Sequence, residues 1–155
     1  MKDFQTVLFA TDFSDNSNYA FEYACSLAKK YEAKLVIVHV VSETLSFNGF
    51  YVPHISFENL EEELREGAQR VMQRFCQENL RDFENYDSYI LRGLAFEQII
   101  KKAEDVQADV IVLGTQGRTG LDHVIFGSTA EKVVRRSPVP VLTIRMPVQA
   151  EEGEK

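Results

Sequence analysis

The sequence predicts a doubly wound α/β domain whose five-stranded parallel sheet, ordered 3-2-1-4-5, has helices on both faces. Short apolar runs without alternation are typical of parallel strands that are covered on both faces. Segments with helical spacing lie between these runs, as in repeated strand–helix units. The 155 residues suffice for one such domain, which would bury about 70% of the surface that its unfolded chain exposes.

The first half of the chain contains two predicted central strands. Thr6–Ala10 is apolar after its first residue, and the polar cluster that follows supplies N-caps for a helix over about Asn16–Lys30. Leu35–Val41 is the second strand; His39, near its end, could bind a ligand or carry a proton, but a hydrogen-bonded structural histidine is favoured. The loop Ser42–Ser56 has a length typical of lids or mobile segments.

The second half continues the alternation. Phe57–Asn79 is an amphipathic helix with a charged outer face. Tyr86–Leu91 alternates more, as a strand near a sheet edge does, and Phe96–Val106 returns to helical spacing. Asp109–Leu113 predicts a buried fourth strand, and a helix follows over Ser128–Arg136.

The last predicted strand, Val139–Ile144, should lie at a sheet edge, because Pro140 cannot donate to a ladder. Pairing with the same strand of a second subunit is one way to cover such an edge. We expect the domain to span residues 1–147 and the charged tail, 148–155, to be disordered.

The connection after the fourth strand is the most informative stretch. Ser128 and Glu131 have the spacing of a capping box, in which the Ser128 hydroxyl accepts from the Glu131 amide and the helix starts at Ser128. Backbone amides without a nearby Cβ at a helix N-terminus suit a phosphate group. The stretch is neither a Walker A loop nor a G-x-G-x-x-G turn, so a plain turn remains an equal alternative. Its glycines are Gly114, Gly117, Gly120 and Gly127.

Asp12 follows the first strand and has two interpretations. A helix cap or turn aspartate is the commoner role and is favoured by composition. The alternative is a carboxylate that accepts from ribose hydroxyls. If strands one and four are neighbours, ligands belong between their carboxyl ends, where Asp12 and Gly114 would both lie. This convergence strengthens the binding interpretation.

Composition restricts the classes of partner. The net charge of −7 argues against a general nucleic-acid binder, and a small anionic ligand fits better. The start of the chain predicts no signal peptide, no run reaches membrane length, and we expect a cytoplasmic protein. Cys25 and Cys76 lack metal-ligand spacing and are expected to be buried or half-buried thiols of a reduced compartment. Positive charges around the glycine-rich stretch are those of Arg118, Lys132, Arg135 and Arg136.

These residues resemble the universal stress protein family, in particular its ATP-binding branch. The resemblance covers about Phe4 to Arg145 and rests on four segments of the chain. Ala10 is a minor departure, since ATP binders of the family often have Pro there. The segments are Ala10-Thr11-Asp12-Phe13-Ser14, Gly114-x2-Gly117-x9-Gly127-Ser128, Glu131-Lys132-Val133-Val134 and Pro138-Val139-Pro140-Val141-Leu142.

The resemblance implies an adenine-nucleotide site and a homodimer formed through the last strand. It implies that Asp12 binds the ribose and that the backbone near Val40 contacts the adenine. ATP is the implied ligand, with AMP or ADP as alternatives, and magnesium would accompany ATP although no protein ligand cluster for it is visible. The phosphates would be surrounded by Gly114, Gly117, Gly127, Ser128 and Thr129, and the binding set is completed by Ala10, Thr11, Leu113 and Arg118.

Three function classes differ in the residues that they need. A nucleotide-binding regulatory protein with at most slow hydrolysis is favoured. An ATP-hydrolysing or nucleotide-transferring enzyme needs a general base, and His123 in a surface loop is the only titratable candidate near the phosphates. A phospho-receiver domain needs paired acids after strand one and an acceptor aspartate after strand three. Asp12 has no acidic neighbour before Asp15, and strand three ends at Arg92-Gly93 without an aspartate.

Overall fold

Strands and helices alternate along the chain in the computed structural model, which describes residues 1–42, 57–116 and 126–147. The predicted loop Ser42–Ser56, beyond Ser42, and the predicted tail lie outside the described residues. The strands are β1 (Thr6–Ala10), β2 (Lys34–Val41), β3 (Tyr86–Arg92), β4 (Val110–Gly114) and β5 (Val141–Ile144). The helices are α1 (Asp15–Tyr31), α2 (Phe57–Asn79), α3 (Ala95–Asp105) and α4 (Ser128–Arg136).

The five strands form one parallel sheet in the order β3-β2-β1-β4-β5. This confirms the predicted fold class, including the strand order and the edge position of β3. The neighbouring strands β1 and β4 have connections that run in opposite directions. From β1 the chain passes through α1 to β2 on one side, and from β4 it passes through α4 to β5 on the other. The reversal creates the crevice at which ligands bind in open α/β sheets.

Alternate residues of the central strands pack into two cores. Val7 and Phe9 face the core that contains α1 and α2, whereas Leu8 and Ala10 face the core with α3 and α4. Successive strand side chains point to opposite faces, so a strand buried on both faces must be apolar at every position. This explains why the strands appear in the sequence as continuous apolar runs.

The predicted start of the last strand is wrong by two residues, because β5 begins at Val141 rather than at Val139. Pro140 precedes the strand, and its carbonyl accepts a hydrogen bond from the Ile111 amide at 2.9 Å. A proline can contribute this acceptor but no donor. The edge position of β5 is as predicted.

Both cysteines are free and buried, as predicted. Cys25 of α1 and Cys76 of α2 belong to the core that contains α1 and α2. Burial raises the pKa of each thiol above its usual value; a nearby Lys29 opposes the increase at Cys25, and a hydrogen bond with Ser88 opposes it at Cys76. No helix in the described ranges is long and apolar enough to cross a membrane.

Candidate functional site

The crevice lies between the carboxyl ends of β1 and β4, which pair from Val7 with Val110 to Phe9 with Val112. The two connections that flank it are Thr11–Ser14, hereafter the β1 loop, and the segment that leads from Thr115 to α4. Their juxtaposition was predicted on the condition that β1 and β4 are neighbours, and that condition is met. Candidate residues that are far apart in sequence therefore meet at one edge of the sheet.

Hydrogen bonds to Thr11 hold the β1 loop against the sheet. Its amide donates to the Val38 carbonyl of β2 at 2.9 Å, and its hydroxyl accepts from the Phe13 amide at 2.9 Å. Thr11 is only 6% exposed. Phe13 has a φ of 62°, a left-handed conformation that is unfavourable for a bulky residue and that its surroundings must stabilise.

Asp12 is a turn aspartate and not the helix cap. Its Oδ1 accepts from the Ser14 amide at 3.0 Å and from the Ser17 hydroxyl at 2.6 Å. Ser14 is the N-cap of α1, since its side chain accepts from the Ser17 amide. Both donors come from the start of α1, so the Asp12 carboxylate fixes the turn that leads into this helix.

His39 connects the end of β2 to the β1 loop. Its Nδ1 lies 2.8 Å from the Thr11 carbonyl oxygen. Its ring packs on the Phe13 ring with a centroid distance of 4.6 Å and a tilt of 38°. The hydrogen bond predicted for His39 is confirmed, and its partner belongs to the β1 loop. Val40, the next residue, follows at the end of β2 and is partly buried against the core of α3 and α4.

The segment between β4 and α4 is closed by a backbone hydrogen bond. The Gly127 amide donates to the Thr115 carbonyl at 2.6 Å, and the Thr115 amide donates to the Ile144 carbonyl of β5 at 3.0 Å. These bonds place the N-terminus of α4 beside the end of β4. Gly117, Arg118, Gly120 and His123 lie outside the described residues, so their predicted roles stay predictions.

The predicted capping box is wrong. Gly127 is the N-cap of α4, and the Glu131 amide bonds to the Gly127 carbonyl at 3.0 Å. Ser128 is therefore the first helical residue, not the cap. The amides of Ser128 and Thr129 belong to the first turn, where N–H groups have no acceptor within the helix. Since the Gly127 amide is already bonded, the amides of Ser128 and Thr129, with that of Ala130, are donors that a phosphate could use.

Gly114 ends β4 and permits a close approach by α1. A Cβ at this position would lie 3.1 Å from the backbone oxygen of Asn16 and 3.3 Å from its carbonyl carbon. These atoms belong to the first turn of α1. The need for glycine at this position thus has a packing explanation, and a contact of Gly114 with a ligand stays a prediction.

The basic residues of α4 contact protein groups. The Lys132 Nζ and the Arg136 guanidinium lie 5.2 and 5.0 Å from the Phe96 ring centroid of α3. Arg135 pairs with Glu131 at 3.3 Å. Within the described ranges, no group of three or more His, Cys, Asp or Glu residues could hold a metal ion.

Sequence reasoning missed Ser17, which is buried and donates to the Asp12 carboxylate. The pattern of Asp12 and Ser14 is typical of an Asx turn, in which an aspartate accepts from the amide two residues later. That signal could have identified the turn. The contribution of Ser17 depends on the first turn of α1 folding back onto the loop, which no local pattern specifies.

Comparison with known proteins shows relatives along almost the whole chain. A relative from Methanocaldococcus jannaschii, universal stress protein MJ0531, is 31% identical over 144 residues, which cover 93% of this chain and 84% of the relative. The solved structure of MJ0577, a universal stress protein of the same organism, superposes with a TM-score of 0.80 at 28% identity, covering 94% of this chain and 98% of the other.

A second solved structure contains a nucleotide. It is a universal stress protein in complex with cAMP, and it superposes with a TM-score of 0.59 at 26% identity, covering 92% of this chain and 98% of the other. The sequence profile of the universal stress protein family matches residues 3–145. The chain therefore belongs to the universal stress protein family.

Proposed function

We propose that this protein binds an adenine nucleotide, with ATP as the principal candidate, in the crevice between β1 and β4. It acts as a homodimeric stress-response regulator with at most slow hydrolysis. The observation that carries the proposal is the convergence of the Asp12 carboxylate and the first turn of α4 at the reversal point of the sheet. The cAMP complex of a related protein supports an adenine nucleotide as the ligand.

Each part of the nucleotide has a proposed partner. Asp12 accepts from ribose hydroxyls while Ser14 and Ser17 hold its Oδ1. The backbone at Val40 faces the base. The amides and hydroxyls of Ser128 and Thr129 bind phosphate, helped by the positive end of the α4 dipole. Magnesium, when it accompanies ATP, binds to the phosphate oxygens.

The proposal is tested first by identifying the nucleotide that denatured, freshly purified protein releases. The emptied protein is then titrated with ATP, ADP, AMP and cAMP, with and without magnesium. Binding of ATP without turnover supports a regulatory protein. Turnover at ordinary enzyme rates would favour the alternative, an ATP-hydrolysing or nucleotide-transferring enzyme, and no binding of any nucleotide would contradict the proposal.

Asp12→Asn tests the ribose contact without dismantling the turn. An asparagine oxygen can still accept from Ser14 and Ser17, but its NH₂ group replaces the second carboxylate oxygen. We expect nucleotide affinity to weaken by about 1 to 3 kcal/mol, with little change in the melting temperature of the emptied protein. Unchanged affinity would mean that Asp12 serves only the turn.

Gly127→Val tests the phosphate end of the site. The backbone of Gly127, with φ −70° and ψ 159°, is accessible to valine, so the fold should persist. Its side chain would occupy the space in front of the first turn of α4, and we expect binding of ATP to be lost. Undiminished ATP affinity in a folded Gly127→Val protein would exclude a phosphate at this helix end.

A further inference from the structure

We propose that His39 is a positioning residue for the nucleotide site, because its single imidazole holds both residues that flank Asp12. Its Nδ1 bonds to the carbonyl of Thr11, and its ring packs on Phe13. His39 thereby fixes the direction in which the Asp12 carboxylate points. This inference rests on the proposed function and adds to it a residue outside the predicted binding set.

The β1 loop needs such support because of its backbone conformation. Phe13 is left-handed, with a φ of 62°, and a non-glycine residue keeps that conformation only when its neighbours enforce it. Three contacts do so. The Phe13 amide donates a hydrogen bond to Thr11 Oγ1 at 2.9 Å, and the Phe13 ring packs on the rings of His39 and Phe75, with centroid distances of 4.6 and 6.0 Å. His39 also contacts the preceding side of Asp12, through the Thr11 carbonyl of the β1 loop.

The position of His39 couples the two proposed ends of the nucleoside site. It comes from β2, whereas the loop that it holds follows β1, and it lies 28 positions after Thr11 in the sequence. The next residue, Val40, supplies the backbone proposed to face the adenine. A shift of the imidazole would therefore alter the spacing between the base contact and the ribose contact.

The hydrogen bond also specifies the tautomer of His39. A backbone carbonyl can only accept, so the proton must be on Nδ1. The neutral ring is consequently the Nδ1–H tautomer, and the imidazolium keeps the same donor. Nitrogen-15 NMR of the wild-type protein reads this state directly, and finding the proton on Nε2 of the neutral ring would overturn the proposal without any variant.

Two variants separate the hydrogen bond from the ring packing. His39→Phe keeps a ring against Phe13 but has no donor, and we expect nucleotide affinity to fall about 3- to 10-fold, as for one lost hydrogen bond. His39→Asn restores an N–H donor near the position of Nδ1. Its affinity should lie closer to that of the wild type than to that of His39→Phe; an affinity no better than that of His39→Phe would overturn the proposal.

A double-mutant cycle with Asp12 distinguishes positioning from a general loss of stability. If His39 acts through Asp12, His39→Phe should weaken binding by less than about 2-fold when Asp12 is already Asn, because coupled residues are not additive. An additive effect would contradict the proposal. If the wild type binds nucleotide and His39→Phe binds equally well, this inference fails alone; if the wild type binds none, the proposed function fails with it.

Discussion

Gly114 and Gly67 are two glycines for which the same substitution should have opposite effects. A Cβ at Gly114 would press on the Asn16 backbone, with its oxygen 3.1 Å away, whereas a Cβ at Gly67 in α2 would meet only the end of the Arg70 side chain at 3.9 Å. Gly114→Ala should lower the free energy of unfolding by about 1 to 3 kcal/mol through overpacking. Gly67→Ala should raise it by roughly 0.5 to 1 kcal/mol, since alanine favours a helix interior.

Urea unfolding of the emptied proteins measures both changes. The pair controls for the substitution itself, because both variants replace a glycine by the same residue. An unaffected Gly114→Ala protein would show that the first turn of α1 can move away from β4. The packing explanation for this glycine would then fail, and a ligand contact would be the better explanation.

The two buried thiols predict an alkaline loss of stability. Burial raises the pKa of Cys25 and Cys76 in the folded state, so the unfolded chain ionises first. The stability that the protonated thiols contribute is fully present below the unfolded thiol pKa of about 8.5. It is lost as the pH rises towards their raised pKa in the folded protein. The free energy of unfolding should therefore decline as the pH rises above about 8.5, and less steeply in Cys25→Ala and Cys76→Ala variants. Equal slopes would contradict this account.

At the scale of elements, α1 and α4 begin differently although each has a serine at its start. Ser14 caps α1 with its side chain, whereas Ser128 is already inside α4, which Gly127 caps. Ser14→Ala should therefore lower the stability of the emptied protein by about 0.5 to 2 kcal/mol. Ser128→Ala should change it by less than about 0.5 kcal/mol.

Nucleotide titration reverses the order of these two serine variants. Ser128 is proposed to bind phosphate, so Ser128→Ala should weaken ATP binding. Ser14→Ala keeps the backbone amide that donates to Asp12, and its folded fraction should bind nearly as the wild type does. If Ser128→Ala lowers stability as much as Ser14→Ala does, Ser128 caps α4 and the assignment of Gly127 as the N-cap is wrong.

The elements themselves were predictable because their signals are local. The continuous apolar run of β2 and the helical spacing of α2 each identify one segment, and the structure confirms both. The start of β5 was not predictable, since Pro140 joins the neighbouring strand only through its carbonyl. A capping box and a first helical turn have the same residue pattern at Ser128, so sequence could not separate them.

The contacts that shape the site were harder to predict than the elements. The bond from His39 to Thr11 and the bond from Gly127 to Thr115 both join segments that meet only after the sheet has formed. The left-handed Phe13 likewise depends on tertiary contacts, with the rings of His39 and Phe75. The sequence therefore predicted that Asp12 and Gly114 follow neighbouring strands, but not which residues hold the β1 loop in place.

At the scale of the whole molecule, the proposed homodimer depends on the exposed edge of β5. The expected dimer segment, Val139 to Ile144, includes two residues of different character. Val141 packs against the core of α3 and α4, whereas Leu142 is 36% exposed. A charge at Val141 would disturb the fold as well as an interface. Leu142 is therefore the position at which the dimer can be tested with the monomer left intact.

Leu142→Glu should shift the protein towards the monomer in sedimentation equilibrium, because a carboxylate in an apolar contact between subunits must be desolvated without a partner. Val134→Glu on α4 is the matched control: Val134 is 47% exposed and lies outside the proposed interface, so this variant should sediment as the wild type does. If Leu142→Glu stays dimeric while it remains folded, the dimer forms through another surface. If both variants become monomeric, the lower molecular mass in sedimentation results from the added charge and not from a change at the edge of β5.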